Sequence, residues 1–278
     1  MRTLTKGNGY KEQNRVLQGL LCLHGFNVQV DGSFGNGTLT AVKDFQKKMG
    51  LKPDGSVGNL TWNALGVQKT YTDSLVLKIP FKNIQAQKML LNNGQNTPFS
   101  RYNLNAGYNF VINGGMFCMP SAKVDKKYWY VVTNDTILNG QLINGGNTSN
   151  IGLAFCNDRK TGCFYQSTTE KSRYKMVDFV GGSPALYPTE DDKGLSRSYL
   201  NQSTIWNMLG VDSENLYYAT NFAKCKMSRL KNAMVEVGAR FVINLDGGGS
   251  RALSMCQKTV LNTDGRGIPQ AIGLYVKY

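Results

Sequence analysis

Phe241-Val-Ile-Asn-Leu-Asp246-Gly-Gly-Gly-Ser250-Arg-Ala-Leu253 is the stretch that decides how the chain is read. It opens with five residues that are nearly all apolar or β-prone, the pattern of a strand buried on both faces. The strand then delivers a carboxylate, Asp246, into Gly247, Gly248 and Gly249. Three glycines let the backbone adopt angles closed to other residues and let a ligand approach closely. Consecutive amides in such a loop form a concavity suited to an anion. Ser250 and Arg251 add a hydroxyl and a fixed positive charge, both matched to phosphate or sugar oxygens. A carboxylate beside a backbone nest fits a substrate that carries both a sugar and a phosphate. A tight Asp-Gly hairpin turn accounts for the same residues, and the stretch alone leaves both readings open.

Two further apolar runs end in the same manner: Ile112-Asn113-Gly114-Gly115 and Val180-Gly181-Gly182-Ser183. Three such endings predict loops gathered at one rim, where backbone comes close to a ligand. Short β-prone runs dominate from residue 75 onward: 75–79, 109–112, 129–133, 151–156 turning back into 163–165, 175–180, 216–219 and 271–276. One helix is predicted over about 227–237, with Met227, Leu230, Met234 and Val237 on one face and Gly238 as its stop. Residues 75–278 therefore read as a sheet-rich α+β domain.

The first 66 residues have a different texture. Asp31-Gly-Ser-Phe-Gly-Asn-Gly-Thr38 recurs as Asp54-Gly-Ser-Val-Gly-Asn-Leu-Thr61, identical at six of eight positions. Asp-Gly supplies a turn in each copy, and the threonine is expected to cap the helix that follows. Val16, Leu17, Leu20 and Leu21 mark one helix, stopped near Gly25. Val42, Phe45 and Met49 mark a second over 39–49, and Trp62 and Leu65 a short third. The expected architecture is α+β overall: a small three-helix N-terminal domain at 1–66, a polar linker at 67–74, and the larger domain at 75–278.

Charge and cysteine usage narrow the function classes. The 278-residue chain has 32 Lys and Arg against 18 Asp and Glu, a net charge of +14 that favours polyanionic partners. The positive charges are scattered, which makes nucleic acid a weaker choice than an anionic wall polymer. Six cysteines form no close pair in sequence and His24 is the only histidine, which argues against a structural zinc site and against a Ser/His or Cys/His catalytic pair in the larger region. Cys156 and Cys163 flank a predicted turn and fit either a disulfide or two free thiols. The N-terminus lacks the apolar core of a signal peptide, and no stretch has the length of a membrane span. The expectation is a chain synthesised in the cytoplasm, which acts outside only if something else exports or releases it.

Residues 16–65 resemble the peptidoglycan-binding domain found at the ends of many bacterial and phage wall hydrolases. The likeness rests on Leu17-Gln18, Asp31-Gly32-x-Phe34-Gly35, Phe45-Gln46 and Asp54-Gly55-x-Val57-Gly58-x-x-Thr61-Trp62. It implies a saccharide groove bordered by Asp31, Phe34 and Trp62, although the same residues also build turns and core. Residues 75–278 resemble the phosphodiester glycosidase family, whose members include an N-acetylglucosamine-1-phosphodiester α-N-acetylglucosaminidase. That likeness rests on Asn113-Gly-Gly-Met-Phe117, Gly181-Gly-Ser-Pro-Ala-Leu186, Asn244-Leu-Asp-Gly-Gly-Gly-Ser250 and the later Arg266. The family's Arg-Thr-Ala-x-Gly segment is replaced here by Ile205-Trp-Asn-Met-Leu209 before Gly210, so a substrate-contacting arginine would have to come from elsewhere, such as Arg173 or Arg197.

The resemblance implies cleavage between the anomeric carbon of N-acetylglucosamine and a phosphodiester. Ordinary glycosidases need two carboxyls because an alkoxide leaves poorly without a proton. A phosphate monoester leaves as a stabilised anion, so one carboxylate and a cradle for the departing charge suffice. In that scheme Asp246 activates water or stabilises the oxocarbenium-like centre. Gly247, Gly248, Gly249, Ser250 and Arg266 hold phosphate. Asn113, Gly114, Gly181, Gly182 and Ser183 hold sugar hydroxyls or the N-acetyl group. Asp178 and Asp264 are spare acids. No cofactor is called for, and a requirement for a divalent metal is left open. Joined in one chain, the two resemblances imply an endolysin-like protein directed at peptidoglycan and at its teichoic acid linkage. An ordinary peptidoglycan hydrolase and a non-catalytic wall-binding protein are the competing classes.

Overall fold

In a computed structural model of the chain, residues 1–68, 71–92, 94–103, 107–115 and 202–278 are described, together with six strands between residues 136 and 186. The N-terminal unit has helices α1 (Lys11–Leu23), α2 (Asn36–Lys48) and α3 (Asn59–Ala64). The two repeat copies fold alike, each around a buried glutamine. Gln18 Nε2 donates to Asp31 Oδ1, the Ser33 carbonyl and Thr38 Oγ1, while its Oε1 accepts from Gly32 N–H. Gln46 makes the same four contacts with Asp54, Ser56, Thr61 and Gly55. The threonines therefore do not cap their helices as the sequence predicts. Gly35 and Gly58 occupy the N-cap positions, and Thr38 and Thr61 sit inside the first turn, tied back to the loop by Ser33 and Ser56 carbonyls.

The larger region is built on two packed antiparallel sheets. The first has the order β1 (Ser74–Pro80), β12 (Asn215–Asn221), β11 (Asn207–Val211), β14 (Phe241–Asn244) and β9 (Ser183–Leu186). The second runs β16 (Lys258–Leu261), β15 (Leu253–Met255), β3 (Phe110–Asn113), β17 (Gln270–Val276) and β2 (Ile84–Leu91). A third sheet, traced by its backbone, orders β5 (Gln141–Asn144), β4 (Thr136–Leu138), β8 (Met176–Gly181), β6 (Gly152–Cys156) and β7 (Gly162–Tyr165), and a two-strand ribbon pairs β10 (Ser203–Thr204) with β13 (Cys225–Lys226). The predicted β6–β7 hairpin is present, with Gly152 opposite Tyr165. The predicted strand at 129–133, the turn residues 157–161, Gly182, Arg173 and Arg197 lie outside the described residues.

Alternation along the strands explains the layers. Leu75, Leu77, Ile79, Leu209, Tyr218 and Ile243 point into the inter-sheet core, where they meet Phe110, Ile112, Leu253 and Leu274. Phe110 and Tyr218 meet edge to face at 5.8 Å. Val76, Met208, Tyr217, Ala219 and Val242 point the other way, under helix α5 (Met227–Glu236) and its buried Met227, Leu230, Ala233 and Met234. The far side of the second sheet is covered by the short α4 (Ser100–Asn103) with Phe99 and Tyr102. The run Val242-Ile243 is thus buried on both faces, as its composition implies.

The N-terminal unit shares this core. Helix α1 packs on β15 and β16, and Leu17, Leu20, Phe45 and Trp62 form one continuous apolar cluster with Met255 and Val260. Nor is the expected linker loose where it is described. Val67 is buried and bridges Leu77, Gln68 N–H donates to the Val76 carbonyl, and Lys78 N–H donates to Gly66. Among the described residues no helix is long and apolar enough to cross a membrane.

Candidate active site

The three glycine-terminated strand ends meet at one end of the sandwich. Ser183 pairs with Asn244 across β9 and β14, so the start of β9 lies beside the strand that leads to Asp246. The end of β3 is joined to the same point: Asp246 N–H donates to the Gly114 carbonyl at 3.1 Å, and Asn113 Nδ2 donates to the Asp246 carbonyl at 2.7 Å. Asn113 is 1% exposed, and its Oδ1 accepts from Asn207 Nδ2 at 2.9 Å and Ala252 N–H at 2.8 Å. Both acceptor positions and the well-placed donor of Asn113 are therefore taken by protein. The structure makes it a bolt that locks β3, β11 and both ends of the glycine loop together.

The Asp246 carboxyl sits half-buried at that junction. Burial is the main cause that pushes it up to about 6, against the Ser250 hydroxyl, the Arg266 charge and the Gly247 amide, which favour its ionised form. Ser250 is fully buried, and its hydroxyl lies beside the carboxyl without completing a well-formed hydrogen bond. Asn207 Oδ1 is likewise buried with no partner among the described residues. Leaving two buried oxygens unsatisfied costs roughly 1–3 kcal/mol each, a cost commonly found where a ligand completes the bonding.

The glycines are fixed by close approach. A Cβ at Gly247 would stand 2.5 Å from the Ile205 carbonyl oxygen, and one at Gly249 would fall on the side chains of Asp264 and Arg266. The amides do not form a free nest of three. Gly247 N–H supports the Asp246 carboxyl, and Gly248 N–H donates to the Ile205 carbonyl at 2.7 Å. Arg266 lies over the loop, its guanidinium gripping Asp264 at 2.7 and 2.6 Å while its charge reaches Asp246. Asp264, a spare acid from sequence, is thus the partner that orients Arg266, and Arg266 holds its carboxyl below the ordinary range. Gly114 is needed where Gln270 crosses it; Gln270 Oε1 also accepts from Gly115 N–H at 2.6 Å.

Arg251 is not at the rim, contrary to its reading as a phosphate or sugar contact. It is 9% exposed and points to the N-terminal unit, donating to Glu12 Oε1 at 2.7 Å and to the Asn221 carbonyl at 3.0 Å. The 205–207 segment, legible only as a departure from a family pattern, is structural support: besides Ile205, the Asn207 carbonyl accepts from Leu245 N–H at 2.7 Å. An open depression beside Pro80, Lys82 and Glu214 lies at the opposite end of the first sheet and has no part in this site.

In the N-terminal unit Phe34 and Trp62 are each 2% exposed, and Trp62 Nε1 donates to the Arg2 carbonyl at 2.8 Å, so both rings are core. Asp31 is exposed and accepts from Ser33 N–H at 2.7 Å within its own turn. Two equivalent shallow cavities flank the repeat loops, about 350 Å³ beside Asp31, Ser33 and Thr38 and about 250 Å³ beside Asp54, Ser56 and Thr61.

Comparison with known proteins finds a match in each part of the chain. Residues 11–65 match the model of a putative peptidoglycan binding domain, and residues 106–275 that of phosphodiester glycosidase. Among curated proteins, an uncharacterized protein in the bpoA1 3' region of Kitasatospora aureofaciens is 58% identical over 41 residues, 15% of this chain and 35% of that protein. The chain thus spans about a third of the length of that relative. The fold is shared with the zebrafish N-acetylglucosamine-1-phosphodiester alpha-N-acetylglucosaminidase catalytic domain, auto-inhibited by its pro-peptide (TM-score 0.57, 13% identity, 73% of this chain and 77% of that one). It is shared also with a hypothetical protein from Synechocystis (TM-score 0.59, 11% identity, 73% and 59%). With more than half of its residues matched by that family model and the same sandwich beneath them, the chain belongs to the phosphodiester glycosidase family.

Proposed function

We propose that the protein is a cell-wall-directed hydrolase that cleaves an N-acetylglucosamine-1-phosphodiester, with the teichoic acid to peptidoglycan linkage as substrate. The observation that carries this reading is the Asp246 carboxyl, half-buried where strand ends converge and pushed up to about 6, with Ser250 and Arg266 beside it. In the proposed reaction the bond from the anomeric carbon to the phosphate oxygen breaks, and the phosphate monoester leaves as an anion. Ionised Asp246 takes the proton of the attacking water or faces the oxocarbenium-like centre. Arg266, held by Asp264, faces the departing charge. Ser250 and Asn207 offer the unsatisfied oxygens that polar groups of the substrate would complete. The bracing role of Asn113 leaves sugar recognition to the Gly181–Ser183 connection and to the substrate's own fit.

The net charge of +14 and the peptidoglycan-binding match of residues 11–65 favour a wall-bound polyanion as the substrate's setting. We further propose release during phage lysis as the route to that wall. The test is incubation of the protein with purified Gram-positive walls, followed by analysis of the soluble fraction. Release of phosphate polymer supports the reading, release of muropeptides points to an ordinary peptidoglycan hydrolase, and pelleting without release points to a binding protein. An Asp246→Asn variant that folds normally should lose at least a hundredfold in rate while still pelleting with the wall; full activity in that variant would remove Asp246 from the mechanism.

A further inference from the structure

Two cysteines with no part in the proposed reaction meet across the seam between the wall-binding unit and the catalytic sheets. Cys22 lies in the last turn of α1, Cys256 at the tip of the β15–β16 hairpin, and both are half-buried. Their side chains are close enough that each thiol shifts the ionisation of the other. Helix α1 is held close to the hairpin one turn earlier, where a Cβ at Gly19 would stand 2.8 Å from Met255 Sδ and 2.9 Å from Val260 Cγ2. At the other side Cys256 N–H donates to the Asn109 carbonyl at 2.7 Å, which fixes the hairpin tip against β3. Neither thiol can drift far from the other without unpacking this contact.

The hairpin tip carries a second sign. Cys256 and Gln257 both have left-handed backbone, with φ of 49° and 62°. A two-residue hairpin turn of that kind favours Asn and Gly, and a cysteine there is disfavoured. Strained residues of this sort gather where the side chain has a use. The pair also divides its chemistry. The neighbouring Cys256 thiol, aided by the Lys258 charge, brings the Cys22 thiol down to about 7, and the same coupling pushes Cys256 up. Cys22, the thiol beside the Lys258 charge, is the one favoured as thiolate and hence as the attacking group. By contrast Cys225 is buried, and burial raises its thiol.

We propose that Cys22 and Cys256 are a reversible oxidation site whose disulfide fastens the wall-binding unit to the catalytic domain when the protein meets an oxidising medium. The oxidant is a small-molecule disulfide. The Cys22 thiolate attacks one of its sulfurs, forming a mixed disulfide and expelling one small thiolate. Cys256 then gives up its proton and attacks the Cys22 sulfur, expelling the second. Two protein thiols are oxidised, one small disulfide is reduced to two thiols, and both protons end on those products. The resulting loop joins residues near the two ends of the chain, the arrangement in which a crosslink most restricts the unfolded state.

The experiment treats the reduced full-length protein with glutathione disulfide, blocks remaining thiols, and maps tryptic peptides without reduction. The expected product is peptide 16–43 joined to peptide 252–258, two hydrogens lighter than their sum and separated by dithiothreitol. The thermal midpoint should rise by about 5 °C or more on oxidation and return on reduction. Cys22→Ser and Cys256→Ser should each abolish the linked peptide and the rise. Blocked or separately glutathionylated Cys22 and Cys256 would overturn the proposal, as would a bond from either to another cysteine, or the linked peptide without a rise. None of these readouts depends on the wall substrate, so the site stands or falls apart from the catalytic reading.

Discussion

Replacing Asn113 by alanine separates a brace from a substrate ligand. The side chain holds three buried groups: the amide of Asn207, the N–H of Ala252 and the carbonyl of Asp246. Truncation leaves all three without their partner in a site where Asn113 is 1% exposed. At roughly 1–3 kcal/mol per unsatisfied buried group, and allowing water to enter the space vacated, the loss comes to about 4 kcal/mol. That is a large part of an ordinary stability of 5–15 kcal/mol and corresponds to a fall of about 10 °C in thermal midpoint for a chain of this size. Asn113→Asp keeps both acceptor contacts but turns an oxygen toward the Asp246 carbonyl, so it should be destabilised to a similar degree. Thermal and urea unfolding of both variants, alongside phosphate-polymer release at a temperature where each is folded, tests the assignment. If Asn113→Ala unfolds within about 2 °C of the parent yet loses a hundredfold or more in rate, Asn113 acts on the substrate and the bracing argument is wrong.

Three further outcomes are expected. The rate of phosphate-polymer release should rise with pH with a midpoint near 6, because Asp246 must be ionised and burial has raised it to about 6; a rate flat between pH 5 and 7 would exclude it as the base. His24 is held down to about 4 by burial, with its ring stacked at 4.2 Å on Tyr278, so the folded state refuses a proton that the unfolded chain accepts near 6.5. Its stabilising contribution is complete above about 6.5 and falls by about 3 kcal/mol as pH drops toward 4. Urea midpoints of His24→Phe should lose that part of the acid sensitivity. Gly249→Ala places a methyl on the Asp264 and Arg266 side chains, and activity should fall at least tenfold while urea unfolding shifts by no more than about 2 kcal/mol; unchanged activity would show that Arg266 need not rest on the loop.

The convergence of the strand ends was legible because each carries its own local signature, an apolar run closed by glycine, and strand ends must gather where sheets stop. The pairing of Ser183 with Asn244 and the contact of Asn113 with Asp246 follow that expectation. What each polar residue does there was not legible, because hydrogen-bond partners are set by tertiary neighbours. Asn113 meets Asn207 across 94 residues and Arg251 meets Glu12 across 239. Strands β2, β15 and β16 were missed for a related reason. Ile84–Leu91 is largely half-exposed, and β15 and β16 are only 3 and 4 residues long, too short to show a period. The glycine loop shows the limit in miniature: composition fixed its tightness, while the Ile205 carbonyl, out of sight in sequence, took one of its amides.

The contact between the two units follows from one helix having two jobs. Glu12, Gly19 and Cys22 recur at spacings of seven and three on α1, which places them on one face of a 3.6-residue helix. That face meets Arg251, Met255 with Val260, and Cys256 in turn, while Val16, Leu17, Leu20 and Leu21 fill the core. An amphipathic pattern of apolar residues would give α1 a single buried stripe and a solvated back. Here the back is covered as well, and glycine at 19 is what lets it come close. Arg251 adjoins Ser250, whose hydroxyl lies beside Asp246, so the polar end of the same face reaches within two residues of the carboxyl. On the proposed function, an N-terminal unit seated this firmly would present the rim at Asp246 in one orientation to the polymer it holds. On that reading reach over the wall would come from the polymer, because the described contacts of α1 with β15 and β16 tie the two units together.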